Sequence, residues 1–396
     1  MQGKIQTSQY PAVQFSGNVA LRQLSNRNAV LDFARKRHSL NAKKTRMPLA
    51  RWTLSAAAWF FAATALQAQT VGEPDPLFRS DEILDVRIIA PLSTLRSDRK
   101  SEEELPGKFQ YTNAAGELQE LYVGVRTRGR FRLQKKVCTF PPLRLNFKKS
   151  QTRNTLFHGQ DKVKLVTHCR SSGSYAMIVP KEFLTYRILN TLTDISFRVR
   201  LMRITYVDTG KDNAEDIHYG FFIEHRDRLA KRLDMLLLEI PKTRISALNP
   251  EYLNLISMYQ YLIGNTDFSP VQGPKGDNCC HNQVLFGVEG KPILSVPYDF
   301  DQAGIVDAPH ASPNPLFKNL RDVRQRIYRG RCVSTQFLDA TIASFKDRQG
   351  DILQLINELE ALDNSARKTV SKYVNRFYGI LDAEKKTARE FVKGCI

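Results

Sequence analysis

Short runs of alternating apolar and polar residues fill the first half of the chain, and a period of two is typical of half-buried strands. A polar turn at 113–116 interrupts the pattern and predicts a hairpin. The alternating runs predict strands at 84–90, 121–127, 143–147, 163–167, 199–207 and 217–223.

A first helix is predicted around Pro180. Proline is well placed in the first turn of a helix, and the apolar residues after it recur at helical spacing. A second helix is predicted to begin after Asn249, a residue type that caps helix N-termini, and to end at Gly264. The stretch 334–393 predicts three amphipathic helices. Two short strands are predicted between these helical segments, at 283–288 and 293–296.

Strands therefore dominate the first part of the chain and helices the second. This order predicts an α+β fold with two lobes, a strand-rich N-terminal lobe at 83–228 and a mainly helical C-terminal lobe at 229–396. The stretch 69–82 combines glycine and two prolines with polar residues, and it predicts a linker.

The start of the chain has the layout of an export signal. Arg51 ends a basic region, 52–66 are uncharged and mostly apolar, and Ala68 is a small residue at a cleavage position. We predict a signal peptide at 47–68, with 1–46 as a disordered upstream extension before the initiator Met47. The alternative is a signal anchor with a cytoplasmic tail. With cleavage, the chain would be periplasmic or secreted and would keep no stable membrane span.

Composition narrows the class of protein. The chain has 396 residues, of which 42% are hydrophobic and 25% charged, and these values are ordinary for a globular protein. Lys and Arg number 59 against 40 Asp and Glu, which gives a net charge of +19. Residues 1–68 hold ten of the basic residues and one acid, so the remainder carries 49 − 39 = +10. This excess is too small to indicate a nucleic-acid partner.

All six cysteines follow the predicted signal peptide, and an even number in an exported chain predicts disulfides. Sequence alone leaves the pairing open, although we expect the adjacent Cys279 and Cys280 to bond elsewhere rather than to each other. A zinc site is a weaker alternative, because no paired Cys-x-x-Cys spacing is present.

Candidate chemistry concentrates between 264 and 304. Asp267 follows the end of a predicted helix, Asn282 opens a strand, and Asp299 and Asp301 follow the next strand. Phosphoryl transfer needs such residues, because carboxylate and amide oxygens hold divalent metal ions and one Asp orients or deprotonates the acceptor hydroxyl. Asp and Asn are also common turn residues, so the pattern by itself does not decide the function.

The segment resembles the CotH-type secreted kinases, a family with an atypical protein-kinase fold. The resemblance covers roughly 85–305, with the motifs in the family's order. The matching residues are Gly264-Asn265-Thr266-Asp267, Asn282, Pro297-Tyr298-Asp299-Phe300-Asp301, Gly124-Val125-Arg126-Thr127-Arg128-Gly129 and Tyr219-Gly220-Phe221-Phe222-Ile223-Glu224.

The resemblance implies a two-lobed atypical protein-kinase-like fold and an exported kinase. Such a kinase would transfer the ATP γ-phosphoryl group to a hydroxyl of an unidentified protein or envelope component, with Mg²⁺ or Mn²⁺. Asp267 would be the catalytic Asp, and Asn282, Asp299 and Asp301 would form the metal site. The implied nucleotide-binding residues are Arg126 and Arg128 in the phosphate loop, Glu182 as partner of a lysine, and Glu224 at the hinge.

One departure from the family pattern concerns the nucleotide-binding lysine. Pro141 stands near the position where the family has it, and Arg144 or Lys164 could take its place. The departure leaves two alternatives open: a catalytically inactive envelope binding or structural protein, and a different nucleotidyl-type transfer on the same scaffold.

Overall fold

Seven strands whose apolar residues alternate with polar ones close into a barrel. The structure, a computed structural model, describes residues 71–396; the predicted extension at 1–46 and signal peptide at 47–68 lie outside them. Along most of β3, buried residues alternate with more exposed ones, as the period-two pattern requires. The barrel strands are β1 (Leu84–Ala90), β2 (Leu105–Thr112), β3 (Leu118–Thr127), β4 (Leu143–Phe147), β5 (Lys162–Val166), β6 (Val199–Asp208) and β7 (Ala214–Ile223).

The strand order around the barrel is β1-β2-β3-β4-β5-β7-β6, and one parallel pairing closes it. In that pairing Val86 of β1 lies opposite Ile204 of β6, which is 204 − 86 = 118 residues away in the chain. The interior is filled by aromatic rings, with Phe157 at 4.9 Å from Phe109 and 4.8 Å from Phe147 between ring centroids. Rings at these separations add to the burial energy of the barrel core.

Two short helices lie among the first barrel strands, and the longer helices follow β5 and occupy most of the chain after β7. The second predicted helix is confirmed: Asn249 Oδ1 accepts a hydrogen bond from the Tyr252 amide at 2.9 Å, and Gly264 ends the helix with φ of 67°. The helices are α1 (Leu92–Ser97), α2 (Lys149–Thr152), α3 (Ile178–Leu192), α4 (Arg226–Leu233), α5 (Pro250–Ile263), α6 (Leu338–Asp347), α7 (Gln349–Glu358), α8 (Asn364–Leu381) and α9 (Glu384–Thr387), with short 3-10 or π turns at Pro76–Phe78, Gly173–Tyr175, Ile245–Ala247, Cys332–Phe337 and Ala388–Val392.

A separate three-stranded sheet has one strand before α5 in the sequence and two strands between α5 and the C-terminal helices. Its central strand is β9 (Gln283–Gly287), paired antiparallel with β8 (Leu236–Leu238) and β10 (Leu294–Pro297). The sheet positions the candidate site, because α5 ends just before Asp267 and β10 ends just before Asp299.

The predicted two-lobed atypical protein-kinase-like fold is wrong. The strand-rich part is a closed barrel rather than an open lobe, and the described residues belong to one compact unit. One hydrophobic core runs from Phe221 of β7 through Tyr186 of α3 to Phe300 and the C-terminal helices, beside the core that fills the barrel. The boundary drawn at 228/229 therefore cuts through a shared core. Local patterns identified strands and helices, but the long-range β1–β6 pairing that closes the barrel leaves no local signal.

Three disulfides tie the described chain together, joining Cys138 to Cys169, Cys332 to Cys395, and Cys279 to Cys280. The prediction that the two adjacent cysteines bond elsewhere is wrong, because the other four cysteines pair among themselves. Among the described helices, none combines the length and the apolar character that a membrane span requires.

The described part of the predicted linker is packed against the protein. Leu77 and Phe78 are buried in the barrel core. Arg228 donates to both carboxylate oxygens of Asp75, from Nε and from Nη2, each at 2.6 Å. The described residues of this segment therefore pack as part of the folded unit.

Candidate active site

The loop after α5 holds Asp267 in a fixed orientation. Asp267 Oδ1 is 2.8 Å from His281 Nε2, and Asn282 Nδ2 donates to Asp267 Oδ2 at 3.0 Å and to its carbonyl at 2.7 Å. Arg329 donates to the carbonyls on either side, those of Thr266 at 2.8 Å and Phe268 at 2.6 Å. The hydrogen bond to Asp267 raises the pKa of His281, although partial burial opposes the shift.

Asp299 lies at the end of β10, beside Asn282. The backbone amide of Tyr298 donates to the carbonyl of Asn282 at 3.0 Å, so the two strand ends are in register. Asn282 and Asp299 both have positive φ, 53° and 64°, a conformation that Asn and Asp tolerate better than most residues. The amide of Asp299 donates to the buried Tyr186 hydroxyl at 2.8 Å, which anchors this end of the strand to α3.

Three basic residues stand opposite one another on neighbouring barrel strands, and they share one face of the sheet. Arg126 of β3 pairs with Arg144 of β4, which pairs with Lys164 of β5. Arg126 forms an ion pair with Glu102 at 2.8 Å, and Arg144 lies 3.8 Å from Glu104.

Lys164 differs from the other two, because no carboxylate of the described residues lies within 4.0 Å of its amine. Its Nζ lies 5.0 Å from the ring centroid of Tyr298. Burial and then the charge of Arg128 lower the pKa of Lys164 to about 8, while Asp299 opposes the shift. A half-buried amine in this position is available to an anionic ligand.

Arg128 is a second cation beside the same carboxylate. Within the part of the chain that the structure describes, its buried Nε has no hydrogen-bond partner. Burial lowers its pKa, and the nearby Asp299 raises it. A buried N–H without a partner is costly, so the guanidinium is poised to gain from a bound anion.

Glu182, Asp299 and Asp301 form an acidic cluster. Burial, followed by the charge of Asp301, raises the pKa of Glu182 well above its usual value and that of Asp299 to about 6. Burial acts in the same direction on Asp301, but its hydrogen bond to His310 at 3.3 Å and the charge of Arg132 outweigh burial and lower its pKa.

The donor set fits a hard divalent cation. Asp299 makes no side-chain hydrogen bond or ion pair with another described residue. Its side chain reaches solvent, although protein surrounds the residue closely enough to raise its pKa. Asn282 uses its amide nitrogen on Asp267, which leaves its amide oxygen for a ligand. Carboxylate and amide oxygens are the donors that Mg²⁺ and Mn²⁺ prefer. A cation there would also relieve the repulsion between Asp299 and Asp301.

Two of the predicted nucleotide-binding residues, Glu182 and Glu224, lie in buried ion pairs with arginines. The carboxylate of Glu182 lies 3.7 Å from Arg132 Nη1, so its basic partner is an arginine rather than a lysine. Glu224 was predicted at a nucleotide hinge, but Arg232 donates to both of its carboxylate oxygens, at 3.0 and 2.8 Å. The backbone amide of Arg198 also donates to the Glu224 carboxylate. These contacts give the buried Glu224 a structural role.

The structure brings most of the remaining predicted residues together. Asp267 contacts Asn282, and the charges of Arg128, Lys164 and Asp301 all act on Asp299. Arg126 and Arg144 lie on the strands next to Lys164, in the row of basic residues across β3, β4 and β5, and each is close to a glutamate.

Sequence reasoning missed four residues of the site. His281 is adjacent to Asn282 in the chain, and this neighbourhood is a signal that could have identified it. Arg132 lies four residues after Arg128 in the same basic segment. Tyr186 and Arg329 carry no local signal, because their contacts with Asp299 and with the Asp267 loop join residues 113 and more than 60 positions apart.

Comparison with known proteins adds no family to this picture. No protein-family model matches the chain, and no curated protein is significantly similar to it. The resemblance to CotH-type kinases thus rests on the quoted motifs alone, and the function has to be inferred from the side chains of the site.

Proposed function

We propose that the chain is an exported phosphotransferase that binds ATP with Mg²⁺ or Mn²⁺ and transfers the γ-phosphoryl group to a hydroxyl of a protein or envelope component. One observation carries the proposal: Lys164 and Arg128, two cations without a carboxylate partner within 4.0 Å in the described chain, flank Asp299, a carboxylate without a direct partner. Nucleotide phosphates and a divalent cation supply the missing partners on both sides.

The residues divide into three roles. Lys164 and Arg128 bind phosphate oxygens, because they are the unpaired cations of the cluster. Asp299 and the amide oxygen of Asn282 hold the metal, which neutralises phosphate charge when bound. Asp267 orients the acceptor hydroxyl and accepts its proton, while the hydroxyl oxygen forms a bond to the γ-phosphorus and the bond to the β-phosphate oxygen breaks.

The export part of the proposal is supported by the disulfides. Three disulfides in the described chain are typical of an oxidising compartment outside the cytoplasm. The predicted signal peptide points to the same compartment, namely the periplasm or the exterior.

A second candidate function is metal-dependent nucleotide binding without transfer. It is favoured by the surroundings of Asp267, whose two carboxylate oxygens are both engaged, by His281 and by Asn282. A protonated His281 would occupy the oxygen that has to accept the proton. The chain would then be a binding or structural protein of the envelope.

A transfer assay separates the two candidates. The wild-type protein, with its disulfides intact, is incubated with ATP labelled in the γ-phosphate, with Mg²⁺ or Mn²⁺, and with envelope proteins. We expect labelled protein, and we expect Asp267→Asn to lower the rate by about 10²–10⁴-fold while ATP binding remains. The matched control is Asp212→Asn, an exposed Asp with positive φ.

Two other results would contradict the transferase proposal. Binding of ATP without labelling of any protein would favour the non-catalytic candidate. A folded wild-type protein that binds no ATP with either metal would overturn both candidates.

A further inference from the structure

A second group of metal-binding residue types lies where β5 ends beside β7. His168, Asp216 and His218 each place one potential ligand atom within 4.8 Å of the other two. Asp216 and His218 are two residues apart on β7, so their side chains point to the same face of the strand. His168 lies two residues after the end of β5, which pairs antiparallel with β7. The pairing of these two strands therefore brings the three residues together.

The polar atoms lie near the spacing of a tetrahedral metal site. His218 Nε2 is 2.9 Å from Asp216 Oδ2. The hydroxyl of Ser171 is 3.3 Å from Asp216 Oδ2 and 3.4 Å from His218 Nε2. Ligand atoms at 2.0–2.2 Å from a tetrahedral zinc ion lie roughly 3.3–3.5 Å from one another. A rotation of one of the two stacked imidazole rings and a small lengthening of the Asp216–His218 contact would complete such a shell.

His168 supplies an independent observation. The residue is 5% exposed, and its buried Nδ1 has no hydrogen-bond partner among residues 71–396. Its ring stacks on Phe140 at 4.3 Å and on His218 at 3.7 Å between centroids. An unpartnered ring nitrogen in a buried imidazole is a potential metal ligand.

We propose that His168, Asp216 and His218 bind a divalent transition metal of the zinc class, with Ser171 or a water molecule as the fourth ligand. Two imidazoles and one carboxylate are a ligand set that zinc accepts. The neighbouring cavity of about 230 Å³, lined partly by His168, Ser171 and Asp216, gives the ion a path from solvent.

A metal there would have a structural consequence. Asp216 and His218 belong to the start of β7, whereas His168 and Ser171 belong to the segment that leads into α3. The ion would clamp these two segments together. None of its ligands belongs to the residues proposed for phosphoryl transfer, so the two proposals can fail separately.

The test uses tag-free, metal-free protein titrated with Co²⁺, whose visible ligand-field absorption reports tetrahedral coordination, and then with Zn²⁺ as competitor. We expect one tightly bound Co²⁺ that Zn²⁺ displaces. Asp216→Asn and His218→Gln should each weaken binding by about 100-fold or more, since even outer-shell changes cost 10–100-fold. Asp216 is exposed, so its variant keeps the fold.

One control locates the bound metal. His158→Gln changes an exposed histidine outside the cluster and should leave the Co²⁺ spectrum and affinity unchanged. The proposal is overturned if the wild-type protein gives no tetrahedral Co²⁺ spectrum, or if Asp216→Asn and His218→Gln bind Co²⁺ as tightly as wild type.

Discussion

Replacement of Asp299 by Asn should stabilise the metal-free protein while it removes the proposed function. The carboxylate of Asp299 has a pKa of about 6 in the folded protein, because of burial and the neighbouring Asp301, against 3.8 as its ordinary value. Ionisation of this group is thus easier in the unfolded chain than in the folded one. A difference of this size corresponds to about 3 kcal/mol at neutral pH. Because the side chain is exposed to solvent, screening reduces the expected effect to about 1 kcal/mol.

The sign of the pH dependence follows from the raised pKa. Well below pH 3.8 the carboxyl is protonated in both states and costs nothing. As the pH rises from about 4 to about 6, the unfolded chain releases its proton first, so the folded protein loses stability. Asn cannot ionise and it tolerates the positive φ of 64° at this position. Asp299→Asn should therefore gain about 1 kcal/mol at pH 7 and close to nothing at pH 4.

The assay is urea unfolding of wild type, Asp299→Asn and the control Asp212→Asn at pH 4 and pH 7 in metal-free buffer. The control should show no such pH-dependent gain. A loss of stability in Asp299→Asn at pH 7 would refute the reasoning, because it would mean that the carboxylate is held by favourable contacts rather than waiting for a cation.

Three further predictions concern Lys164, Glu224 and the Cys332–Cys395 disulfide. The affinity for ATP should fall as the pH rises through about 8 in wild type, where Lys164 loses its charge, and it should stay constant in Lys164→Arg; calorimetric titrations at pH 7 and 9 measure both. Glu224→Gln should lower the free energy of unfolding by about 3–5 kcal/mol, because it leaves the buried Arg232 unpaired, and yet leave ATP binding intact; denaturation and titration of the one variant check both parts. Replacement of Cys332 and Cys395 by serine should cost up to about 4 kcal/mol by the loop-entropy estimate for their separation of 63 residues, measured as a shift in the urea midpoint.

Local structure could be predicted from the sequence where a pattern within a few residues determines it. The strands at 84–90 and 143–147 and the helix that Asn249 caps were found because period and capping chemistry act over a few residues. Strand β2 (Leu105–Thr112) was missed although the turn after it was predicted, because Pro106 and Gly107 interrupt its alternation. Barrel closure was missed for a different reason, since it depends on a pairing across 118 residues that no window of sequence contains.

The candidate site divides in the same way. Asp267, Asn282 and Asp299 stand at ends of helices and strands, where polar residues in a spaced pattern are visible in sequence. The assignment of charge partners could not be predicted, because it depends on which side chains meet across the fold. Glu182 meets Arg132, and Glu224 meets Arg232, through contacts that only the packed chain defines.

Metal-dependent binding of ATP tests the central claim most directly. The measurement is calorimetric titration of the folded wild-type protein, Asp299→Asn and Asp212→Asn with ATP, each without metal, with Mg²⁺ and with Mn²⁺. We predict binding to wild type and to Asp212→Asn only when metal is present, and loss of that binding in Asp299→Asn. Absence of binding to wild type with both metals, or equal binding to Asp299→Asn, would contradict the account.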